Sequence, residues 1–592
     1  MLRNRKSWGG PIPCFFIVPA AVICLFTSLS AQNAYLRTTI RLGTGTTAPY
    51  CIPWVDSGAK AGTAWVTTSN YITVDTNTRY QPIIAWGGTI QEKHWQAISV
   101  LSTAGKDSIN RALFDTSGCN IGFLRCPIGC CDFDLNENPI SLNEVANDYS
   151  MTNFSLHRDS LRKIPLIKMA QAIHPGMRFW GCPWSPPRGM HDNGQYSSGW
   201  MKTDATTMNA YALYLEKFVQ GYAAAGINVE YITCQNEPEI TSGGYPKCGW
   251  YNTGYINFYK NYLIPLFTRD HISTRILLGV FCVGAYADWV TTIMNDATVR
   301  SFVGVTSHSY QSPNWGPQCR AAYPNIPFFE TEAPFGPYPG DGIEDWSRGM
   351  DEFNNVSDFM VCSTSVYTMW NMVNDQTAKS GWDWAQNVMI QVNSSTRQVT
   401  YNPHFYAYKH FGNYVKPGAY AIRRTVTGSG PAKSSAFRNP NGDIVLVLSN
   451  TNSSAFALTV RVGNMMWRAS LPAYSMNTLR IATGTTSPVQ ERKLENTSIP
   501  ALSNVMIRSS TLYFSLSAAA GAQEMNITLS DLQGRTLWTG HCAGSALQGA
   551  QQAIAIRPAQ GNLRSGTYLL AVKIRNGAGV VTTFENRVTA VN

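Results

Sequence analysis

The chain reads as an α/β protein: a (β/α)8 TIM barrel with a side β-sandwich and an additional C-terminal β-sandwich domain. Three observations predict this. From Gln81 to about Pro417, short apolar runs alternate with longer helical patterns, as repeated βα units require. Beyond Lys416 the pattern changes to short alternating strands such as Ile444-Val-Leu-Val-Leu and Leu458-Thr-Val-Arg-Val. The 592 residues exceed what one core organises, and 44% apolar against 14% charged residues excludes a disordered chain.

Residues 1–31 carry Arg3, Arg5 and Lys6, an apolar run from Cys14 to Leu29, and small residues at Ser28, Ser30 and Ala31. This is the pattern of a cleaved export signal, and it predicts a secreted or cell-surface protein that begins near Ala31 or Gln32. A membrane-anchored start is the alternative, although about 16 apolar residues fall short of the roughly 20 that a span needs. Strand-like alternation over 36–77, as in Thr63-Ala-Trp-Val-Thr-Thr and Tyr71-Ile-Thr-Val, predicts N-terminal strands that complete the side sandwich.

The barrel is expected over 78–414. Its strand candidates are Ile83–Trp86, Ile121–Cys126, Arg178–Cys182, Val229–Cys234, Ile276–Val280, Val303–His308, Ile326–Glu332 and Ser365–Trp370, which makes eight. Their spacing mostly suits a strand, a loop, a helix and a return. Residues 415–483 supply the rest of the side sandwich. Residues 484–500, rich in Thr, Ser, Pro and charge, read as a linker. Residues 501–592 read as the C-terminal β domain, with Met525-Asn-Ile-Thr-Leu, a turn at Gln533-Gly534, and Gly566-Thr-Tyr-Leu-Leu-Ala-Val.

The formal charge is +10, and no basic run or nucleic-acid motif accompanies it, so nucleic acid is not an expected partner. Fourteen cysteines include Cys14 and Cys24 in the signal; in an oxidising compartment some of the others are expected to pair. Cys126, Cys130 and Cys131 match no standard zinc spacing and lack a His, which predicts buried thiols or a disulfide. Gly340-Asp-Gly-Ile reads as a loop and not a calcium site. No metal or cofactor is expected. Seventeen Trp and 28 Tyr exceed ordinary packing needs, and such rings can stack on sugars, although core packing accounts for any single one.

Two glutamates stand where the chemistry should be. Tyr231-Ile-Thr-Cys-Gln runs into Asn236-Glu237-Pro238, and Ile326-Pro-Phe-Phe-Glu-Thr delivers Glu332, so both fall at the C-terminal ends of barrel strands, the active face of such folds. They belong to the fourth and seventh strands, across the barrel mouth. A carboxyl pair about 5–5.5 Å apart suits glycoside hydrolysis with retention; about 6.5–9.5 Å leaves room for an inverting water. Glu237 must then hold a proton for the leaving oxygen while Glu332 is ionised to attack the anomeric carbon. Glu330, on the same face by alternation, is the fallback nucleophile. Glu239, past Pro238, is the weaker acid/base. Asn-Glu-Pro alone equally suits an ordinary turn.

Several blocks extend this reading. They are Trp86-Gly-Gly, Asn120-Ile-Gly-Phe-Leu-Arg-Cys-Pro-Ile-Gly-Cys-Cys-Asp-Phe, Asn153-Phe-Ser-Leu, Pro183-Trp-Ser-Pro-Pro, Gln235-Asn-Glu-Pro, Thr331-Glu-Ala, Trp370-Asn-Met, and Tyr401-Asn-Pro-His-Phe-Tyr through Val415-Lys-Pro-Gly-Ala. In this order they resemble glycoside hydrolase family 30, the group containing glucosylceramidases and several microbial β-glycanases. The resemblance implies Glu237 as acid/base, Glu332 as nucleophile and Asn236 on the sugar 2-hydroxyl. It implies a sugar subsite lined by Asp132, Trp184 and Trp370, with Tyr310 and Asn371 also among the substrate-binding positions. Arg125, His308 and Tyr310 match polar positions around the nucleophile; standing alone, Arg125 would read as a buried ion-pair partner and His308 as a hydrogen-bonded core residue. The acid at Glu330 and the Pro334 loop depart from the family pattern.

The expected function is a secreted retaining hydrolase of β-linked glucosyl or related glycans, with a β-linked oligo- or polysaccharide or glycoside as its partner. An endo-β-1,6-glucanase or xylanase of the same family is the alternative, and a non-catalytic glycan-binding surface protein is the alternative of another class. Asp531-Leu-Gln-Gly-Arg-Thr-Leu and Ser565-Gly-Thr-Tyr-Leu-Leu-Ala-Val resemble the C-terminal sorting domains of the bacterial type IX secretion route, which implies contact with export machinery.

Overall fold

The computed structural model describes residues 34–41, 55–56, 69–282, 291–300, 303–310, 313, 315–333, 346–463 and 465–482, together with strands between 501 and 590. The expected signal, the strand at Thr63–Thr68, the linker, the Gln533 turn and the loop at Gly340 lie outside the described residues. The chain divides into two compact units, Met1–Thr485 and Thr486–Asn592.

In the first unit, β1 (Ala34–Ile40), β2 (Val55–Asp56) and β3 (Tyr71–Pro82) precede the barrel. The barrel strands follow as β4 (Ala85–Thr89), β5 (Ile121–Ile128), β6 (Arg178–Pro183), β7 (Val229–Ile232), β8 (Arg275–Phe281), β9 (Val303–Ser307), β10 (Phe328–Glu330) and β11 (Thr364–Met369). All pair in parallel in sequence order, and β11 closes the ring on β4 with Val366 opposite Ala85. These are the strands expected from the apolar runs. Continuous apolar runs arise because both faces are buried, one against side chains inside the barrel and one against the helices outside it.

The first strand starts later than its run implies. Ile83 and Ile84 are apolar because they form the junction with the side sheet, their N–H groups bonding Ala419 O at 2.7 Å and Ser365 O at 2.8 Å. At the closure Gly87 is required by close approach, since a Cβ there would lie 2.5 Å from Thr368 Oγ1.

The lower barrel interior is an aromatic plug. Phe123, Tyr231 and Phe329 meet edge to face with centroids 5.9–6.0 Å apart, and Trp180 stacks on Phe123. Water is thus kept from below, and polar side chains gather at the other end. The surrounding helices are capped locally: Asp204 accepts from Thr207 N at 3.0 Å at the start of the helix Ala205–Ala224.

After the barrel, β12 (Val373–Asp375), β13 (Ile390–Val392) and β14 (Val399–Tyr401) form a small sheet that the polar sequence around them did not announce. Then come β15 (Tyr420–Thr427), β16 (Lys433–Arg438), β17 (Ile444–Asn450), β18 (Phe456–Val462), β19 (Met465–Leu471) and β20 (Ser475–Ile481). With β1 to β3 they make one hydrogen-bonded sheet, ordered β19-β18-β3-β15-β16-β17-β20-β1-β2. Its two ends face each other over a shared core that includes Leu36, Ile72, Leu446, Val460 and Trp467. The barrel side is joined to it by His410, whose ring nitrogens lie 2.9 Å from Thr478 Oγ1 and 3.0 Å from Thr39 Oγ1.

The second unit holds β21 (Ala501–Arg508), β22 (Thr511–Ser517), β23 (Ala522–Ser530), β24 (Thr536–Ala543), β25 (Gln552–Ile556), β26 (Gly566–Asn576) and β27 (Val581–Ala590). They form one sheet ordered β24-β23-β26-β27-β21-β22-β25. Of the sorting-like segments, Asp531–Arg535 and Ser565 lie outside the described residues.

The expected disulfides are not found among the described residues: ten cysteines, Cys126, Cys130 and Cys131 among them, form no disulfide there, and most are buried. Burial in apolar surroundings accounts for these thiols as small packing groups.

Glu352, on the helix Trp346–Val361, is fully buried with Tyr367 Oη donating to it at 3.1 Å, and burial pushes its carboxyl up to about 8. A folded-state value raised above the unfolded one makes the native state bind the extra proton, so stability is full at low pH and falls as pH rises from about 4.5 towards about 8. Glu352→Gln is expected to flatten this fall by at least about 2 °C in Tm between pH 5 and pH 8. Equal slopes for variant and parent in thermal melts contradict the assignment.

Candidate active site

Strand β7 ends at Ile232 because neighbouring side chains take over its backbone. Tyr259 Oη accepts from Cys234 N at 3.0 Å, and Tyr211 Oη donates to Cys234 O at 2.7 Å. The chain then runs inward: Asn236 N bonds Pro183 O at 2.7 Å, and Glu237 N bonds Val280 O at 2.9 Å. Glu237 itself has φ +48°, an uncommon left-handed conformation for a residue with a Cβ, held here from the ends of both adjacent strands. Its carboxylate consequently faces the barrel mouth.

Glu332 lies two residues beyond β10. Alternation along the strand predicts that Glu330 shares its face, but the strand stops at Glu330 and the two side chains part. Glu330 Oε1 accepts from Glu332 N at 2.7 Å and Oε2 accepts from Thr368 N at 2.7 Å, so this fully buried carboxyl pins backbone behind the site. Burial pushes its proton affinity well up. Glu239 is likewise spent on the loop, accepting from Cys282 N.

The two strand-end glutamates meet. One oxygen of Glu237, one of Glu332 and a ring nitrogen of His308 all lie within 4.8 Å of one another. Glu332 Oε2 takes Arg125 Nη1 at 2.5 Å, and Oε1 accepts from Tyr310 Oη at 2.8 Å. Arg125 is wholly buried; its Nη2 also donates to Asn236 Oδ1 at 2.5 Å and contacts Cys182 Sγ at 3.3 Å. The guanidinium lies 4.4 Å from the Trp184 ring, 5.1 Å from Trp180 and 5.2 Å from Trp370. Trp184 and Trp370 stack at 5.1 Å and are themselves buried, forming the wall under the site.

His308 is kept neutral by burial and, next, by the Arg125 charge. Its Nε2 lies 3.2 Å from Asn236 Oδ1 and its Nδ1 3.2 Å from Thr331 Oγ1. With Oδ1 of Asn236 held by Arg125 and His308, the amide nitrogen is the end left for the mouth. Asp132 is buried and its Oδ1 has no partner among the described residues; burial first, then the Glu332 and Glu237 charges, push its proton affinity well up, which suits an acid that both gives and takes a hydrogen bond. Asn371 is engaged otherwise: its Oδ1 accepts from Gln91 and its Nδ2 donates to Gln386, each at 3.1 Å.

Two contacts had no sequence signal. Lys247 Nζ lies 2.5 Å from Glu237 Oε2, nearly out of solvent, and Tyr245 Oη lies 3.5 Å from the same oxygen. Both sit on an irregular loop where no spacing rule applies. The trio Glu237, His308 and Glu332 has the spread of a cation site, but Lys247 and Arg125 already bring positive charge to both carboxylates.

Similarity to known proteins follows the same outline. Residues 83–415 match the glycosyl hydrolase family 30 TIM-barrel domain, and residues 418–479 match the family 30 beta sandwich domain. Putative glucosylceramidase 2 of Caenorhabditis elegans is 29% identical over 426 residues, covering 67% of this chain and 79% of that protein. The endo-1,6-beta-D-glucanase neg1 of Aspergillus fumigatus is 23% identical over 437 residues, covering 67% and 84%. Among solved structures, an endo-β1,6-glucanase superposes with a TM-score of 0.67 at 22% identity, over 76% of this chain and all of that one.

Arg125→Met leaves Glu332 buried without its cation. The expected cost is about 3–5 kcal/mol of stability, read as a lowered Tm with loss of turnover; an unchanged Tm contradicts the pairing described.

Proposed function

Because the chain belongs to glycosyl hydrolase family 30, we propose that it cleaves β-linked glucosyl chains by double displacement, with Glu332 as nucleophile and Glu237 as general acid/base. The chain is a glycoside hydrolase; the bond it cleaves and the residue roles are this proposal. The observation that carries it is the approach of the two carboxylates to within 4.8 Å. One oxygen from each group at that range suits the carboxyl spacing of about 5–5.5 Å in retaining enzymes better than the roughly 6.5–9.5 Å that admits an inverting water, and lets both groups serve one anomeric carbon.

The steps follow from the partners. Arg125 and Tyr310 hold the two oxygens of Glu332 and aim the carboxylate. Lys247 and Tyr245 hold Oε2 of Glu237, which leaves Oε1, 3.9 Å from His308 Nε2, to pass the proton to the leaving oxygen. Attack by Glu332 breaks the glycosidic bond and forms a glycosyl ester, which removes the nucleophile's charge. Glu237, now ionised and balanced by Lys247, takes a proton from water, which attacks the anomeric carbon and restores Glu332. Asn236 offers its amide nitrogen to the sugar 2-hydroxyl, and Asp132 offers a hydroxyl partner.

Glucosyl specificity is supported by the names of relatives, glucosylceramidase and endo-1,6-beta-D-glucanase, which makes β-1,6-glucan the first polymer to test against xylan. A purely glycan-binding role fits less well, since binding alone does not need two close carboxylates each with its own buried cation. Export belongs to the same proposal and is supported by sequence alone, through the signal-like residues 1–31 and the sorting-like features of 501–592.

Glu237→Gln is expected to lose about 10²–10⁴-fold on an unactivated β-glucoside and far less on a dinitrophenyl β-glucoside, whose leaving group needs no proton. Glu332→Gln is expected to lose activity on both. Initial-rate kinetics on the two substrates check this, and undiminished turnover in either variant on the unactivated substrate contradicts the assignment.

A further inference from the structure

Outside the catalytic cluster, one aromatic pair has a geometry that core packing does not call for. Tyr251 is 58% exposed, yet its ring lies parallel to that of Trp200, with centroids 4.0 Å apart and planes within 2°. Trp200 covers one face of the tyrosine, so the exposed area is the other face. The neighbour Trp250 is buried, packed against Tyr211, Tyr255 and Phe258, which fixes the backbone under the exposed ring. The result is a flat, supported apolar surface.

Its position gives it a role. The loop after β6 and the loop after β7 are zipped together by bridges between Ser198 and Ser242 and between Trp200 and Gly249. Further bonds run from Gly199 N to Thr241 O at 3.1 Å and from Lys247 N to Tyr196 O at 2.7 Å. Trp250 N also bonds Pro238 O at 2.7 Å, next to Glu237. The same loop carries Lys247 and Tyr245 onto Glu237, and Tyr251 follows Lys247 by four residues, a backbone reach of at most about 14 Å. In the proposed reaction Glu237 protonates the leaving oxygen, so this loop borders the leaving-group side.

We propose that Tyr251, backed by Trp200, is a stacking platform for a pyranose ring on the leaving-group side of a glucan chain. The inference rests on the functional reading above and adds to it a preference for extended chains. Apolar C–H faces of a pyranose lie flat on such a ring, and holding the tyrosine against an indole removes the rotamer entropy that binding would otherwise cost.

The test compares the parent with Tyr251→Ala and Tyr251→Phe on β-1,6-gluco-oligosaccharides of increasing length, on 4-nitrophenyl β-glucoside and on a long-chain alkyl β-glucoside. Tyr251→Ala is expected to lower kcat/KM on the longer oligosaccharides by about fivefold to tenfold, the size of one aromatic stacking contact. Activity on the aryl glucoside should stay within about twofold, and Tyr251→Phe should restore the loss. An equal loss on all substrates, or none on oligosaccharides, overturns the platform. A loss confined to the alkyl glucoside overturns it in favour of a lipid-like leaving group. A parent enzyme that cleaves no oligosaccharide defeats the functional reading and the platform with it, whereas cleavage that ignores Tyr251 defeats the platform alone.

Discussion

Arg125 carries a full charge with no solvent to screen it, and the site is arranged around that fact. Burying such an ion costs several kcal/mol unless its partners are well placed. Glu332 supplies the anion, Asn236 and Thr331 O supply neutral acceptors, and three indoles surround the plane of the guanidinium. One side chain thereby fixes Glu332 just beyond β10, Asn236 beside Glu237 just beyond β7, and the aromatic wall from β6 and β11. In the proposed reaction Glu332 becomes an ester and the anion disappears. The indole faces and the neutral acceptors are then what keep Arg125 tolerable, which is a reason for so many buried rings beneath the site.

A second ion pair answers the first across the mouth. Lys247 meets Glu237 from a loop, Arg125 meets Glu332 from a strand, and His308 stands neutral between the two carboxylates. The difference in origin suits the difference in task. In the proposed reaction the nucleophile must stay in one position until it attacks, and Glu332 is braced by a barrel strand and by the Glu330 carboxyl at its own N–H. The proposed acid/base must gain and lose a proton in each cycle, and Lys247, the cation on Glu237, comes from the loop assigned to the leaving-group side.

Much of this was legible in the sequence because barrels bury both faces of their strands. Eight apolar runs gave the strands, and the polar residues at the ends of two of them gave Glu237 and Glu332. Arg125 and Asn236 were found within their motif blocks, and His308 and Tyr310 through the resemblance that those blocks carry; the structure gathers all four around the same two carboxylates. What was not legible depends on irregular backbone. Alternation put Glu330 beside Glu332, but the strand ended at Glu330, two residues too early for the rule to hold. Lys247 and Tyr245 reach the site from a loop with no period, and Asn371, adjacent to Trp370, spends its amide on Gln91 and Gln386. The side sandwich was expected from the N-terminal strands together with the segment after the barrel, but the register that pairs β1 with β20, more than 400 residues apart, leaves no local trace. The cysteines misled for a related reason: composition and compartment suggest pairing, while the described thiols are packed singly.

In the proposed reaction Glu332 becomes covalently attached to the sugar. A 2-deoxy-2-fluoro β-glucoside with an activated leaving group slows the second step and allows the adduct to accumulate; peptide mass spectrometry then locates it. One sugar per chain is expected, carried on Glu332. An adduct on Glu330, or turnover with no adduct and an inverted product, would contradict it.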